Sequence, residues 1–201
     1  MSMASPMNTP EIIEAITPLI EVFERFNIPY YIGGSVASSV HGKRRATQDV
    51  DIVADIQSKH VQILVKLLEN DYYIDAHMMR GAIQQQSSFN ILHNDTGIKV
   101  DIFVPKSSTF ARHELQRARE QVIESGSRPF YFASPEDIIL NKLKWWKMGG
   151  GVSTRQWNDL VEVIKRQVHT LDIIYLRQSA PFIGVADILE QAFADAGIQT
   201  K

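Results

Sequence analysis

An aspartate pair inside an apolar stretch, Asp49-Val50-Asp51-Ile52-Val53, most limits how this chain can fold. Alternating acids and aliphatics read as a β-strand with one apolar and one acidic face. Residues two apart in a strand project to the same side. Asp49 and Asp51 therefore share a face, and Val50 and Ile52 take the other. A second stretch, Ile98-Lys99-Val100-Asp101-Ile102-Phe103-Val104, repeats the pattern with a third acid. If the two strands lie side by side in register, three carboxylates converge. Like charges about 4 Å apart repel by ~4 kcal/mol at an effective dielectric near 20, so such a cluster needs a cation or a shared proton. Hard oxygen ligands of this kind suit Mg²⁺ or Mn²⁺. The plainer readings are a solvated strand edge for Asp49 and Asp51, and for Asp101 an ion pair with Lys99 or an arginine.

Upstream, the short strand Tyr30-Tyr31-Ile32 ends in Gly33-Gly34-Ser35 before a helical stretch. Glycines let the backbone approach a ligand closely. A helix start offers free N–H groups and a positive dipole, which together make a phosphate nest. Ser35 either caps the helix or donates to a phosphate oxygen. By itself the tripeptide is equally a plain capped turn. It is neither Gly-x-Gly-x-x-Gly nor a Walker loop. The basic residues Lys43, Arg44 and Arg45 precede the acidic strand and can reach phosphate. Thr47, two before Asp49, is placed to hydrogen-bond within the same site.

Around these motifs the chain reads as mixed α and β, then all α. Ile12, Ile13, Ile16, Leu19, Ile20 and Phe23 recur at helical spacing over 10–26. Short helices are expected over 35–40 and 60–68, and strands over 49–54 and 72–75. The stretch 81–86 reads as a polar turn. Strands 89–92 and 98–104 form a hairpin around Asn94-Asp95-Thr96-Gly97. A helix is expected over 110–122 and a last strand over 130–132. Ser134-Pro135-Glu136-Asp137 is a strong helix start, serine cap then proline. That helix stops at Gly149-Gly150-Gly151, and helices over 154–167 and 171–195 follow. The expected fold class is α/β (α+β): a mixed-sheet core over 10–132, flanked by helices, with a C-terminal helical part over 133–201 packed with it as one unit.

Composition excludes more than it selects. The 201 residues contain no cysteine, which removes disulfides, thiol nucleophiles and Cys-based zinc sites. That suits a reducing, cytoplasmic location. The net charge of -2 gives no global field for nucleic acid. No apolar run is long enough to span a membrane, and the first nine residues lack a signal-peptide core. Trp145, Trp146 and Trp157 fit either a base-stacking surface or a helical core.

Taken together, Gly34-Ser35, Asp49-x-Asp51 and Asp101 resemble the nucleotidyltransferase superfamily related to DNA polymerase β. The fuller pattern of Gly33 to Ser35, His41-Gly42, Arg45, Thr47, Asp49 and Asp51 resembles bacterial minimal nucleotidyltransferases, closest to abortive-infection type nucleotidyltransferase toxins and their uncharacterised relatives. Ser134 to Leu143 resembles that group's lysine-bearing helix, and Arg155 to Leu160 its later Arg/Asp helix. The spacer from Ser35 to Asp49 is longer than in the most compact members, leaving the loop over 42–48 free to differ.

The resemblance implies transfer of a nucleoside monophosphate from a nucleoside triphosphate such as ATP to an acceptor hydroxyl. It places metal on Asp49, Asp51 and Asp101, with Asp101 also taking the acceptor proton. Gly33, Gly34, Ser35, Arg45 and Thr47 would bind nucleotide, Lys142 would neutralise triphosphate charge and Asp159 would support the pocket. RNA is the first acceptor expected, as in toxin-like relatives, because basic residues cluster at 43–45, at Arg112, Arg117 and Arg119, and at 142–147. The alternatives are a small-molecule acceptor, as in antibiotic adenylyltransferases, and a non-catalytic, antitoxin-like binding module. An antitoxin-type protein partner is a further expectation.

Overall fold

The computed structural model describes residues 9–42, Thr47 and residues 49–198. These fall into two compact units. One holds residues 9–36 and runs again from Thr47 to Phe132; the other holds residues 37–42 and continues from Ala133.

The first unit is built on a seven-stranded sheet among the described residues. In chain order it contains helix α1 (Thr9–Arg25), strand β1 (Tyr30–Ile32), the start of α2 (Gly34–His41), β2 (Asp49–Ala54), α3 (Val61–Leu68), β3 (Tyr72–Tyr73), α4 (Ala76–Gln85), β4 (Ser88–His93), β5 (Lys99–Phe103), α5 (Thr109–Arg117), β6 (Arg119–Val122) and β7 (Pro129–Phe132). The sheet order is β3-β4-β5-β2-β1-β7-β6. β2 and β5 are parallel neighbours at its centre, with Asp49 beside Lys99 and Asp51 beside Asp101. β1 runs antiparallel to β2, and β4 antiparallel to β5. Val50, Ile52, Val100 and Ile102 are almost wholly buried on the apolar face. Their burial fixes register, because a one-residue slip would turn the acids into the core.

One long-range contact ties the edge of this sheet to the first helix. Pro18 lies inside α1 and has no N–H to donate. Close by in α1, the Tyr72 hydroxyl donates to the Ala15 carbonyl at 2.8 Å and accepts from the Leu19 amide at 3.2 Å. Those two backbone groups lie one helical turn apart. Burial holds the Tyr72 hydroxyl well above the usual phenol range, so it stays a donor.

Three expectations are corrected here. The stretch expected as a polar turn at 81–86 lies mostly within α4. Asp75 caps that helix by accepting from the Met78 amide at 2.8 Å, and Met79 and Ala82 bury its inner face. The strand expected over 72–75 is accordingly only Tyr72–Tyr73, because Asp75 is spent on the cap. The helix expected over 110–122 stops at Arg117. Ala118 turns extended, and β6 pairs antiparallel with β7, so sheet hydrogen bonds replace a helix that had little apolar surface to bury.

The second unit is helical: the end of α2, then α6 (Pro135–Met148), α7 (Thr154–Gln167), α8 (Ile173–Ser179) and α9 (Ala186–Ala196). The single helix expected over 171–195 is two, because a short 3₁₀ turn carrying Pro181 ends at Gly184, which has a left-handed φ of 69°. The helix start expected at Ser134 is present, and its hydroxyl accepts from the Asp137 amide. Asp137 is fully buried, with the Ser134 hydroxyl donating to it at 2.6 Å and the Tyr175 hydroxyl at 2.7 Å. Glu136, also buried, accepts from the Asp172 amide at the start of α8 at 2.9 Å. No helix among the described residues is long and apolar enough to cross a membrane.

Replacing Tyr72 by Phe leaves a buried N–H and a buried carbonyl without the bridging hydroxyl. The variant is expected to lose about 2 kcal/mol in urea unfolding, with an unchanged m-value. An unchanged midpoint would show that the two backbone groups are satisfied without the hydroxyl.

Candidate active site

The acids project from the centre of the sheet. Asp51 and Asp101 sit directly opposite one another on parallel strands, and Asp49 shares their face. Asp101 is 23% exposed and Asp49 55%. Burial raises the Asp51 carboxyl above the usual range, and the neighbouring charges of Asp101 and Asp49 raise it further. Lys99 and a hydrogen bond from the Ser35 amide pull the other way.

That amide comes from the start of α2, and glycine makes its approach possible. Gly34 has a left-handed φ of 55°, and a Cβ there would stand 1.7 Å from the Asp51 Oδ2. The Gly33 amide donates to the Asp51 carbonyl at 2.8 Å. The turn expected to cradle phosphate thus holds the side chain and backbone of Asp51 from above. Thr47 reaches the same strand, its hydroxyl donating to the Asp49 carbonyl at 2.9 Å.

Lys99, expected only as an ion-pair partner of Asp101, meets two of the acids. Its ammonium lies 2.8 Å from Asp101 Oδ2 and 3.7 Å from Asp49 Oδ1. The hydrogen bond with Asp101 holds the ammonium above the usual lysine range. The alternation of its own strand accounts for the contact with Asp101: Lys99 is two residues before it, so both face the same way. Among the described residues, no group of three or more acids or histidines is placed to hold a metal ion. The donors are nevertheless of the kind a hard divalent cation takes: all are carboxylate oxygens on one face, and after burial the charges of Asp101 and Asp49 add to the rise of Asp51.

Other expected residues lie in the second unit. Lys142 pairs with Asp159 at 3.8 Å, both largely shielded. Arg45, with Lys43 and Arg44, lies outside the described residues. His41 and Gly42 have structural work to do. The His41 ring contacts the Ala133 carbonyl at 3.2 Å, and burial lowers its pKa. A Cβ on Gly42 would meet the Ser38 carbonyl at 2.8 Å and Val163 at 3.1 Å. Trp146 and Trp157 pack on each other with centroids 4.8 Å apart, and the Trp157 indole donates to Asp195. Trp145 is half exposed.

A cavity of about 570 Å³ opens beyond the carboxyl ends of β2 and β5, lined by Ile56, Ile83, Val104, Lys106 and Arg112 among others. None of the three acids lines it.

A carboxylate with a raised pKa in the folded state costs stability when ionised. The folded protein binds a proton there more readily than the unfolded chain, so this contribution falls as pH rises through the window above the unfolded pKa. Asp51→Asn is therefore expected to melt higher than the wild type at pH 7, by about 2–4 °C for each kcal/mol relieved. The gain should vanish below about pH 4, where Asp51 is protonated in both states. Gly34→Ala should melt lower at every pH, because its Cβ drives Asp51 out of place. Melting curves of both variants across pH 3–8 check the pair, and an Asp51→Asn protein less stable at pH 7 would contradict the first.

No family model matches the chain, and no curated protein matches it. Solved structures do. The solution structure of the antibiotic-resistance factor ANT(2'')-Ia matches with a TM-score of 0.58 at 16% identity, over 93% of this chain and 99% of that one. Its crystal structure with adenylyl-2''-tobramycin gives 0.57 at 15% identity, over 85% and 97%. An antigenic nucleotidyltransferase-like protein from Paracoccidioides brasiliensis gives 0.54 at 17% identity, over 90% and 94%. At these identities the likeness is one of architecture, and the chain has the nucleotidyltransferase fold.

Proposed function

We propose that this protein is a metal-dependent nucleotidyltransferase that moves a nucleoside monophosphate from a nucleoside triphosphate to a hydroxyl of a small acceptor molecule. The observation that carries this reading is the registered pair Asp51 and Asp101, with Asp49 on the same face and the start of α2 against Asp51. A fold that needed these strands only for packing would gain nothing from aligned like charges.

In this reading Asp49, Asp51 and Asp101 hold the cation, Mg²⁺ or Mn²⁺. When bound, it supplies charge neutralisation for the triphosphate and acidifies the attacking hydroxyl. Asp101 receives the acceptor's proton. Gly33, Gly34 and Ser35 bring backbone and hydroxyl donors to the phosphates, and Thr47 and Arg45 support them. By the family resemblance, Lys142 would neutralise triphosphate charge and Asp159 would support the pocket; within the second unit the two pair with each other. The acceptor hydroxyl displaces pyrophosphate, forming one phosphoester as one phosphoanhydride breaks.

The small acceptor is favoured by two observations. The chain spans nearly the whole length of ANT(2'')-Ia, whose crystal structure holds an adenylylated tobramycin. Part of the basic cluster at 142–147 is also spent internally, Lys142 on Asp159 and Lys147 on the Gly184 carbonyl. An RNA acceptor is the second reading. Lys106 and Arg112 favour it, since both line one cavity and neither makes an ion pair with a described residue.

The deciding assay supplies each α-labelled nucleoside triphosphate with Mg²⁺ or Mn²⁺, and offers in parallel total tRNA and a panel of polyhydroxylated amines. Label on a small product supports the first reading and label on RNA the second. In either case Asp51→Ala and Asp101→Ala are expected to lose at least about a hundredfold in rate. Full activity in both variants would overturn the mechanism. No transfer and no metal-dependent triphosphate binding would identify a non-catalytic member of the fold.

A further inference from the structure

The unusual member of the acid cluster is its cation. Lys99 belongs to the same strand face as Asp101 and lies in register with Asp49 on the next strand. Its ammonium is within 2.8 Å of one carboxylate and 3.7 Å of the other, and its field also reaches Asp51. All three acids that the proposed reaction would use for a divalent ion are thus already facing one fixed positive charge. The lysine is not a structural plug, since 41% of its side chain is exposed. On the neighbouring strand it stands beside Leu92, itself 43% exposed, so the flexible stem lies on a solvent-facing part of the sheet. A compact ammonium on a four-carbon stem is suited to that exchange.

We propose that Lys99 is a positioning residue that acts as a displaceable internal counter-ion. In the metal-free protein it holds Asp49 and Asp101 against their own repulsion. A divalent cation binds only by expelling it, and the freed ammonium stays beside the site, where triphosphate oxygens can receive it. Lys99 therefore weakens the intrinsic affinity for free metal and couples productive metal binding to arrival of the nucleotide. This inference rests on the acids being the metal site, as proposed above.

The test measures Mn²⁺ binding to metal-stripped protein without nucleotide, by the electron paramagnetic resonance signal of free Mn²⁺. Wild type is compared with Lys99→Met and Lys99→Arg. Melting curves in chelator confirm that each variant folds. Lys99→Met should bind Mn²⁺ about fivefold more tightly than wild type, the size expected from a well-formed exposed ion pair. It should also melt lower than wild type in chelator and gain more from added Mn²⁺. Lys99→Arg should keep the weak wild-type affinity. Equal or weaker Mn²⁺ binding by Lys99→Met, with wild type binding normally, overturns the counter-ion role and leaves the proposed reaction standing. Absence of Mn²⁺ binding in all three proteins overturns both.

Discussion

Two aspartates forced side by side on parallel strands set the terms for the rest of the first unit. Asp51 and Asp101 face each other because Val50, Ile52, Val100 and Ile102 must be buried on the other side of the sheet. Hydrophobic register thus imposes an electrostatic cost, and the surrounding structure offsets it. The start of α2 brings an amide to Asp51, Gly34 omits the atom that would block it, and Lys99 supplies a positive charge. Each of these makes sense only in relation to the acid pair. A cluster held at such cost is the observation on which the proposed cation and phosphate site rests.

The second unit handles buried charge differently. Asp137 has no exposure, yet two hydroxyls donate to it and its own amide is capped by one of them. Glu136 beside it receives a backbone N–H. These acids are enclosed by donors, and the arrangement joins α6 to α8. Asp51 and Asp101 instead face each other on neighbouring strands, with Lys99 paired to Asp101 and Asp49 beside them. Burial alone therefore does not mark a reactive acid; the difference lies in whether the neighbours are donors or further negative charges.

Much of this could be read from the chain. The alternation of acids and aliphatics in β2 and β5 was enough to infer both strands and their shared acidic face, and Ser134-Pro135 marked the start of α6. The failures share a physical origin. In α4, the polar surface of 81–86 hid a helix whose inner face needs only Met79 and Ala82. In β6, four exposed residues carry no burial pattern, and only pairing with β7 makes them a strand. The pairing of Lys99 with Asp101 was legible from their spacing, but its approach to Asp49 depends on the register of β2 against β5. His41 and Gly42, which carry part of the family resemblance, are packed against the Ala133 carbonyl and Val163.

The hydroxyl of Tyr72 seated on the backbone of α1 has a consequence for how sequences of this fold can diverge. Tyr72 and the turn from Ala15 to Leu19 are far apart in the chain, yet one hydroxyl serves a carbonyl and an amide of that turn. Both bonds are made to backbone, so the side chains at 15 and 19 can change without removing the groups that are bound. A chain that lost the tyrosine would lose both bonds at once. Drift should therefore be slower at position 72, on the outermost strand of the sheet, than at the helix positions it touches.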